Sequence, residues 1–231
     1  IATAATDLPG RTCCRDPESE ERMQVSAVDI SRAYFNASTE GCPPTYVQLP
    51  DEDPDSACGM CGFLLRHMYG TQAAADGWQQ EYAGYMVEMG FRQGIASPCV
   101  FVHPSRNVAC SVHGDDFTTC GPKRELDWFE STLESRYELK RGGRLGPGKN
   151  DCKEMTVLNR VLRWTDAGLE YEADPRQCEK LLESLNLDDS CNGVATPGLK
   201  PLPAQIDVEE PLPPDEQTEF RALPARANYV S

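Results

Sequence analysis

The sequence predicts an α+β fold, and three features of its patterning indicate this class. Short segments in which apolar and polar residues alternate indicate β-strands, and apolar residues at helical spacing indicate amphipathic helices. These elements follow one another in the order strand, helix, hairpin, helix. The length of 231 residues suits one large domain or two small ones, with room for a sizeable hydrophobic core.

The first two elements are a strand and a helix. Alternation predicts the strand over residues 25–29, and helical periodicity predicts the helix over residues 73–89, which Gly90 closes. Its apolar side chains are predicted to be core residues: Trp78, Tyr82, Tyr85, Met86 and Met89.

A hairpin and a second helix follow. Strands are predicted over residues 98–103 and 108–120, the second interrupted by a turn at 113–116. The helix is predicted over residues 123–138 from Leu126, Phe129, Leu133 and Tyr137. The glycines of residues 141–148 predict a flexible loop after this helix.

The C-terminal part carries a second hairpin, predicted from strands 155–164 and 168–173. Asp174 as N-cap and Pro175 at the first helical position then predict a helix that ends at Leu187. Seven prolines and several acids over residues 197–231 predict a linker, with a short helix near its end at 215–230.

Composition excludes several classes of protein. The longest apolar run is far shorter than the ~20 residues that a bilayer span needs, so no membrane partner is expected. Residues 1–28 lack a basic cap followed by an apolar stretch, which predicts that there is no signal peptide and that the protein is intracellular and not secreted. Because the sequence begins at Ile1 without a Met, a truncated start is also expected. The eleven cysteines are therefore predicted to be reduced thiols, and Cys58 and Cys61, without a second such pair, are predicted to be ordinary cysteines rather than zinc ligands.

The net charge is −15, from 22 basic and 37 acidic residues, and it is unevenly distributed. Only residues 121–164 carry an excess of basic residues, ten against seven acidic ones. This segment is the candidate nucleic-acid interface, through Lys123, Arg124, Lys140 and Arg141. A solvated charged surface is the alternative that the pattern favours on its own.

Three aspartates are the candidate chemical groups. Asp115 and Asp116 lie in a Gly-Asp-Asp turn between two apolar strands, and Asp29 ends an earlier strand. A Gly-Asp turn is commonly only hairpin chemistry. If the two strands are neighbours, however, three carboxylates converge, and their repulsion predicts a pair of divalent ions bound through oxygen ligands.

At these residues the chain resembles the reverse transcriptase region of copia-type retrotransposon polyproteins. The landmarks, in order, are Ala-Val-Asp at 27–29, Ala-Tyr-Phe-Asn-Ala at 33–37, Tyr-Val-Gln-Leu-Pro at 46–50, Met-Tyr-Gly at 68–70 with Trp78, Gly-Phe at 90–91 with Ser-Pro-Cys at 97–99, and His-Gly-Asp-Asp at 113–116. The resemblance covers most of the chain.

The resemblance implies the palm of a right-hand polymerase and RNA-directed DNA synthesis by two-metal nucleotidyl transfer. Asp29, Asp115 and Asp116 would be the catalytic metal ligands, together with the backbone carbonyl of Ile30. The expected cofactor is a pair of Mg²⁺ ions, which Mn²⁺ could replace. The expected partners are primer-template RNA or DNA and deoxynucleoside triphosphates.

Two further residues are candidates for nucleotide binding. Tyr34 stands where viral RNA polymerases carry an Asp that recognises the ribose 2′-hydroxyl, so the resemblance implies a preference for deoxynucleotides; a simple core aromatic is the alternative. Gln72 is a candidate for contacting template or nucleotide. Asp76 departs from the family pattern, because it places a negative charge where a positive one is common.

The resemblance also predicts the domain organisation. Residues 1–24 would be a poorly ordered N-terminal remnant, residues 25–196 the palm with partial fingers and a thumb-like segment, and residues 197–231 an acidic connection toward an absent ribonuclease H domain. The remainder of the polyprotein, including integrase, is an expected partner, and the expected location is the cytoplasm, in virus-like particles, with a nuclear phase. The alternative function is an inactive, decayed or domesticated fragment that at most binds nucleic acid or another partner.

Overall fold

The computed structural model describes residues 19–172, 175–188, 190–193 and 212–230. Predictions for residues 1–18, for Asp174 and for the linker up to residue 211 lie outside the described residues. The described residues divide into two compact units: one comprises those up to Val157 together with Arg163–Glu170, and the other comprises Leu158–Leu162 and those from Tyr171 onward.

The described elements are eleven strands, four α-helices and two short 3₁₀ helices. The strands are β1 (Met23–Ile30), β2 (Tyr46–Gln48), β3 (Cys61–Phe63), β4 (Arg92–Gln93), β5 (Val100–His103), β6 (Val108–His113), β7 (Asp116–Pro122), β8 (Leu139–Leu145), β9 (Glu154–Val157), β10 (Arg160–Thr165) and β11 (Gly168–Glu172). The helices are α1 (Ala74–Glu88), α2 (Lys123–Glu134), α3 (Pro175–Ser184) and α4 (Pro214–Val230), with 3₁₀ turns at Ala33–Asn36 and Ser56–Cys58. The fold is therefore mixed α+β, as the sequence predicts.

The largest sheet has six antiparallel strands in the order β4-β5-β6-β7-β1-β8. Along the chain its main elements run β1-α1-β6-β7-α2-β8, and β7 lies between β1 and β6, which is a split β-α-β arrangement. Because β1 and β6 are both antiparallel to β7, they run in the same direction and end at the same edge of the sheet. Asp29 and the Gly-Asp-Asp turn share that edge.

The hydrophobic core lies between α1, α2 and one face of this sheet. Trp78, Tyr82 and Met86 of α1 are buried, with Tyr85 and Met89 packed beside them, which confirms the predicted core face of the helix. Near the end of β1, the alternate residues Val28 and Ile30 pack in the same core. Since side chains alternate along a strand, Asp29 between them projects from the opposite face.

Two predictions of local structure are wrong. Residues 155–164 form two strands rather than one, because Leu158 and Asn159 both have positive φ, 51° and 61°, the backbone of a tight I′-type turn. Most of the predicted loop at 141–148 belongs to β8, which pairs with β1. The pairing register of β1 and β8 shifts between Ser26 and Val28 of β1, which marks a β-bulge in β8. Gly143, with φ 100°, adopts the backbone conformation that this bulge requires.

Other boundaries differ less. Helix α2 ends four residues before its predicted end, although Tyr137 beyond it is still buried, and α3 ends at Ser184 rather than Leu187. Among the residues that the structure describes, no helix has both the length and the apolar character that crossing a membrane requires.

Candidate functional site

The carboxylates predicted to meet lie at one edge of the six-stranded sheet. Asp29 of β1 is directly opposite Asp116 of β7, and on its other side it is opposite Lys140 of β8. Asp116 is in turn opposite His113 of β6. Directly opposed residues project from the same face. The four therefore form a row of ionisable side chains across four strands, in the order Lys140, Asp29, Asp116, His113, which confirms that the strand of Asp29 neighbours the hairpin.

Backbone hydrogen bonds bring the two central carboxylates close together. The N–H of Ile30 donates to the carbonyl oxygen of Asp115 at 2.9 Å. Ile30 and Asp115 therefore form a hydrogen-bonded pair, and Asp29 and Asp116 occupy the adjacent, non-hydrogen-bonded position, where side chains approach more closely. The same bond places Ile30, whose carbonyl the resemblance adds as a ligand, beside the turn.

The turn itself is held by a buried tryptophan. Gly114 and Asp115 connect β6 to β7, and the positive φ of Gly114, 64°, fits a type II′ turn with glycine at its first central position. The indole N–H of Trp78 donates to the carbonyl oxygen of Gly114 at 2.8 Å, and only 1% of Trp78 is exposed. Helix α1 therefore fixes the position of the turn that carries two of the three aspartates.

Burial and neighbouring negative charges both raise the pKa of the Asp116 carboxyl. Burial raises the pKa of its carboxyl, the negative charges of Asp115 and Asp29 raise it further, and His113 opposes them. This combination shows that the three carboxylates interact electrostatically, as convergence requires. The ionised cluster is thus unfavourable without a positive partner.

Lys140 supplies one such partner. Its Nζ donates to Asp29 Oδ1 at 3.2 Å, and the two side chains are 73% and 36% exposed. The pair lies at the surface, where an ion pair of this kind stabilises a protein by at most about 1 kcal/mol.

Aromatic side chains border the acidic edge. The rings of Tyr34 and Tyr69 are in contact, with centroids 4.3 Å apart, and the ring of Phe35 lies 5.9 Å from that of Tyr69. Burial raises the pKa of the Tyr69 hydroxyl, and the negative charge of Asp115 raises it further. Tyr69 is therefore electrostatically coupled to the carboxylates, and Tyr34 is held beside it, partly buried against the core.

The candidate nucleic-acid residues do not form one positive groove. Lys123 and Arg124 begin α2 directly after Pro122, at the opposite end of β7 from Asp116, and Arg141 reaches carboxylates of α2. Each of the four cations pairs with acidic side chains: Lys123 with Glu20 and Asp127, Arg124 with Glu21 and Glu125, Lys140 with Asp29, and Arg141 with Glu130 and Glu134. These pairings favour the alternative of a solvated charged surface.

The segment before α1 is exposed. Gln72 precedes the helix, and its side chain faces solvent. Asp76 lies in the first turn of α1 and is also exposed. A carboxylate there is favourable for the helix dipole but repels an approaching phosphate.

The donor chemistry of the acidic edge fits magnesium, which prefers hard oxygen ligands such as carboxylates and a backbone carbonyl. Burial, together with the negative charges of Asp115 and Asp29, raises the pKa of the Asp116 carboxyl and so disfavours its ionised form. Across the described part of the chain, however, no group of three or more His, Cys, Asp or Glu side chains is arranged as it would be to hold a metal ion. Metal binding at this edge therefore requires side-chain rearrangement, beginning with Asp29, which Lys140 engages.

Three neighbours of the carboxylates were not among the sequence candidates for this site. In the sequence, His113 and Tyr69 belong to motifs without an assigned role at this site, and Trp78 is a predicted core residue and a landmark. The signal for His113 was available, because it flanks a two-residue turn and such residues pair directly across a hairpin. Nothing local in the sequence connects Tyr69 or the indole of Trp78 to the turn, since both contacts arise from tertiary packing.

No model of a known protein family matches the chain. The geometry of the acidic edge and the ordered landmarks of the sequence therefore carry the functional argument.

Proposed function

We propose that the first unit is the palm-centred core of an RNA-directed DNA polymerase that adds deoxynucleotides to a primer 3′-hydroxyl. One observation carries the proposal: Asp29 lies opposite Asp116 on neighbouring strands, while the backbone carbonyl of Asp115 accepts a hydrogen bond from the backbone N–H of Ile30. Asp29 and Asp116 thus lie on one face of the sheet with Asp115 beside them in the turn, which supports the metal-binding role that the resemblance to copia-type reverse transcriptases assigns to the three aspartates.

The connectivity of the sheet supports the same proposal. A palm needs its metal-binding aspartates at one edge of an antiparallel sheet whose other face is covered by helices. The β1-α1-β6-β7-α2-β8 order provides such an edge, and α1 and α2 cover the face opposite the row of ionisable side chains. The partial fingers would correspond to the β2–β3 hairpin, in which Tyr46 pairs with Phe63.

In this proposal the side chains bind and position rather than transfer protons. Asp29, Asp115 and Asp116 would hold two Mg²⁺ ions, which when bound activate the attacking hydroxyl and neutralise charge on the triphosphate. Tyr34, supported by Tyr69, would form the wall beside the sugar and leave no space or partner for a 2′-hydroxyl.

Primer extension tests the proposal. We expect purified protein to extend a primed RNA template with deoxynucleotides at low salt when Mg²⁺ or Mn²⁺ is present. The Asp115→Asn/Asp116→Asn double variant should lose at least about 100-fold in rate, because the ligands neutralise transition-state charge.

Asp127→Asn is the matched control, because it removes an exposed carboxylate that pairs with Lys123 and Arg144 on another part of the same unit. It should retain extension. Absence of extension with either metal, or equal rates in the double variant and the control, would contradict the proposed activity.

The second candidate is an inactive fragment that persists as a binding or interaction module. One observation favours it: Lys140 forms an ion pair with Asp29, one of the aspartates that a polymerase would use to bind metal. Primer-template binding without extension, unchanged in the double Asn variant, would support this function in place of polymerisation.

A further inference from the structure

The position of Lys140 is set by the sheet, not only by its flexible side chain. Lys140 and Asp29 are directly opposed on β8 and β1, and Asp29 and Asp116 are directly opposed on β1 and β7. The ammonium group thus belongs to the same row as the two carboxylates. Its Nζ lies 3.2 Å from Asp29 Oδ1.

This lysine balances part of a charge that the sheet would otherwise leave uncompensated. Two carboxylates directly opposed on neighbouring strands destabilise the sheet, and Asp115 adds a third negative charge. The ammonium group of Lys140 donates a hydrogen bond to Asp29, and an ammonium group can only donate. It therefore occupies lone pairs of Asp29 that a metal ion would need.

The ion pair between Lys140 and Asp29 is weak enough for another cation to replace the ammonium group. The Lys140 side chain is 73% exposed, so its ion pair is screened by solvent and salt. A divalent ion carries twice the charge and, in the proposed site, would interact with all three carboxylates, whereas the ion pair that the structure gives Lys140 is with Asp29. A bound metal ion would consequently displace the ammonium group.

We propose that Lys140 is a tethered counter-ion of the carboxylate cluster, which competes with divalent cations for Asp29 and lowers the metal affinity of the site. The inference rests on the proposed function, since it takes the three aspartates to be the metal ligands. Lys140 is then a residue that regulates occupancy of the site: metal binding releases its ammonium group, and metal loss restores the ion pair.

Metal affinity is the measurement that tests this role. Free Mn²⁺ would be followed by electron paramagnetic resonance at low ionic strength, with EDTA-treated protein. Lys140→Gln should bind Mn²⁺ about two- to fivefold more tightly than the parent, the range expected from removal of an exposed ion-pair partner. Lys140→Arg keeps the cation and should not gain affinity.

Lys123→Gln is the matched control. It makes the same change of charge, also removes a partner of surface carboxylates, and lies beyond the other end of β7. Its Mn²⁺ affinity should remain that of the parent. A gain equal to that of Lys140→Gln would show an effect of net charge alone and would overturn the inference.

Two further variants separate this inference from the proposed function. The Asp115→Asn/Asp116→Asn variant should lose Mn²⁺ binding; if it does not, or if no variant binds Mn²⁺, the proposed function and this inference both fail. If binding requires those aspartates but Lys140→Gln does not tighten it, only this inference fails. Adding Lys140→Gln to Asp29→Asn should give no gain in affinity, because the lysine acts through Asp29.

Discussion

A carboxyl group whose pKa is raised by folding is less favourable as an anion in the native protein than in the unfolded chain. Asp116 is such a group, owing to burial and to the charges of Asp115 and Asp29. Its contribution to stability is present below the unfolded pKa of about 4 and is lost as the pH rises through the higher folded pKa. At neutral pH the ionised residue therefore destabilises the fold, a cost that is commonly found where side chains are arranged for function.

The Asp116→Asn variant should accordingly be more stable than the parent at pH 7 without divalent ions. We expect the free energy of unfolding to rise by about 0.2–1 kcal/mol, the range for an opposed like-charge pair. Urea unfolding in EDTA measures this change, and the gain should shrink toward pH 3, where the parent carboxyl is protonated.

Asp127→Asn provides the comparison, because Asp127 forms ion pairs with Lys123 and Arg144. The negative charge of Asp127 is therefore favourable for the fold, whereas that of Asp116 is unfavourable. This variant should not be stabilised at pH 7. Equal effects in the two variants would mean that Asp116 experiences no net repulsion.

Among the elements, β8 shows how glycine permits a strand where flexibility was predicted. A Cβ at Gly142 would lie 3.2 Å from the carbonyl oxygen of Ala27, so β8 can approach β1 closely only with a small residue there. Gly143 has φ 100°, a backbone conformation that other residues adopt only at a cost. The two glycines therefore create the bulge that keeps Lys140 and Leu145 in register with β1 on either side of it.

Gly143→Ala should destabilise the protein by about 1–3 kcal/mol, because alanine is strained at this φ and its Cβ would lie 3.3 Å from Cys152 Sγ. Thermal or urea unfolding gives the measurement.

Gly84→Ala makes the same substitution in the interior of α1, where the added Cβ meets nothing within 4 Å. It should stabilise by about 0.5–1 kcal/mol, the helix preference of alanine over glycine. Effects of the same sign in both variants would contradict this interpretation of the bulge.

For the first unit as a whole, a buried ion pair joins distant parts of the chain. Arg22, just before β1, donates to Asp151, which lies after β8, and both side chains are only 7% exposed. Gln24 and the amide of Gly148 also donate to Asp151. Burial alone would raise the pKa of Asp151, but the bonds from Gln24, Arg22 and Gly148 outweigh it and lower the pKa.

Asp151→Asn should therefore reduce the free energy of unfolding by about 3–5 kcal/mol at pH 7, because it leaves the buried Arg22 without a counter-charge. A depressed folded pKa stabilises the fold above the unfolded pKa, about 4, and this contribution disappears as the pH falls through the folded value. The difference between parent and variant should thus diminish in urea titrations below pH 4.

Glu154→Gln is the control for this prediction, since it disrupts an exposed pair with Arg163 in the same unit. Its effect should remain below about 1 kcal/mol at all pH values. A loss as large as that of Asp151→Asn would show that burial does not distinguish the two pairs.

Sequence periodicity determined the strands and helices that form the core of the first unit. Alternation and helical spacing identified β1, α1, β6, β7 and α2, and they gave the bounds of α1 to within one residue at each end. They succeeded because each of these elements buries one face, so that its burial pattern appears in the local sequence. The same reasoning identified the three aspartates as candidates. It failed at β8 and at the turn of Leu158 and Asn159, where backbone geometry rather than apolar pattern decides the structure.

Only the tertiary structure decided which charges face one another. Strand order and register place Asp29 between Asp116 and Lys140, and packing of α1 brings the indole of Trp78 to the turn. These contacts join residues far apart in the chain, and a shift of one residue in register would move Asp29 to the other face of the sheet. A local pattern can therefore nominate the aspartates, but their charge environment depends on how the strands pair.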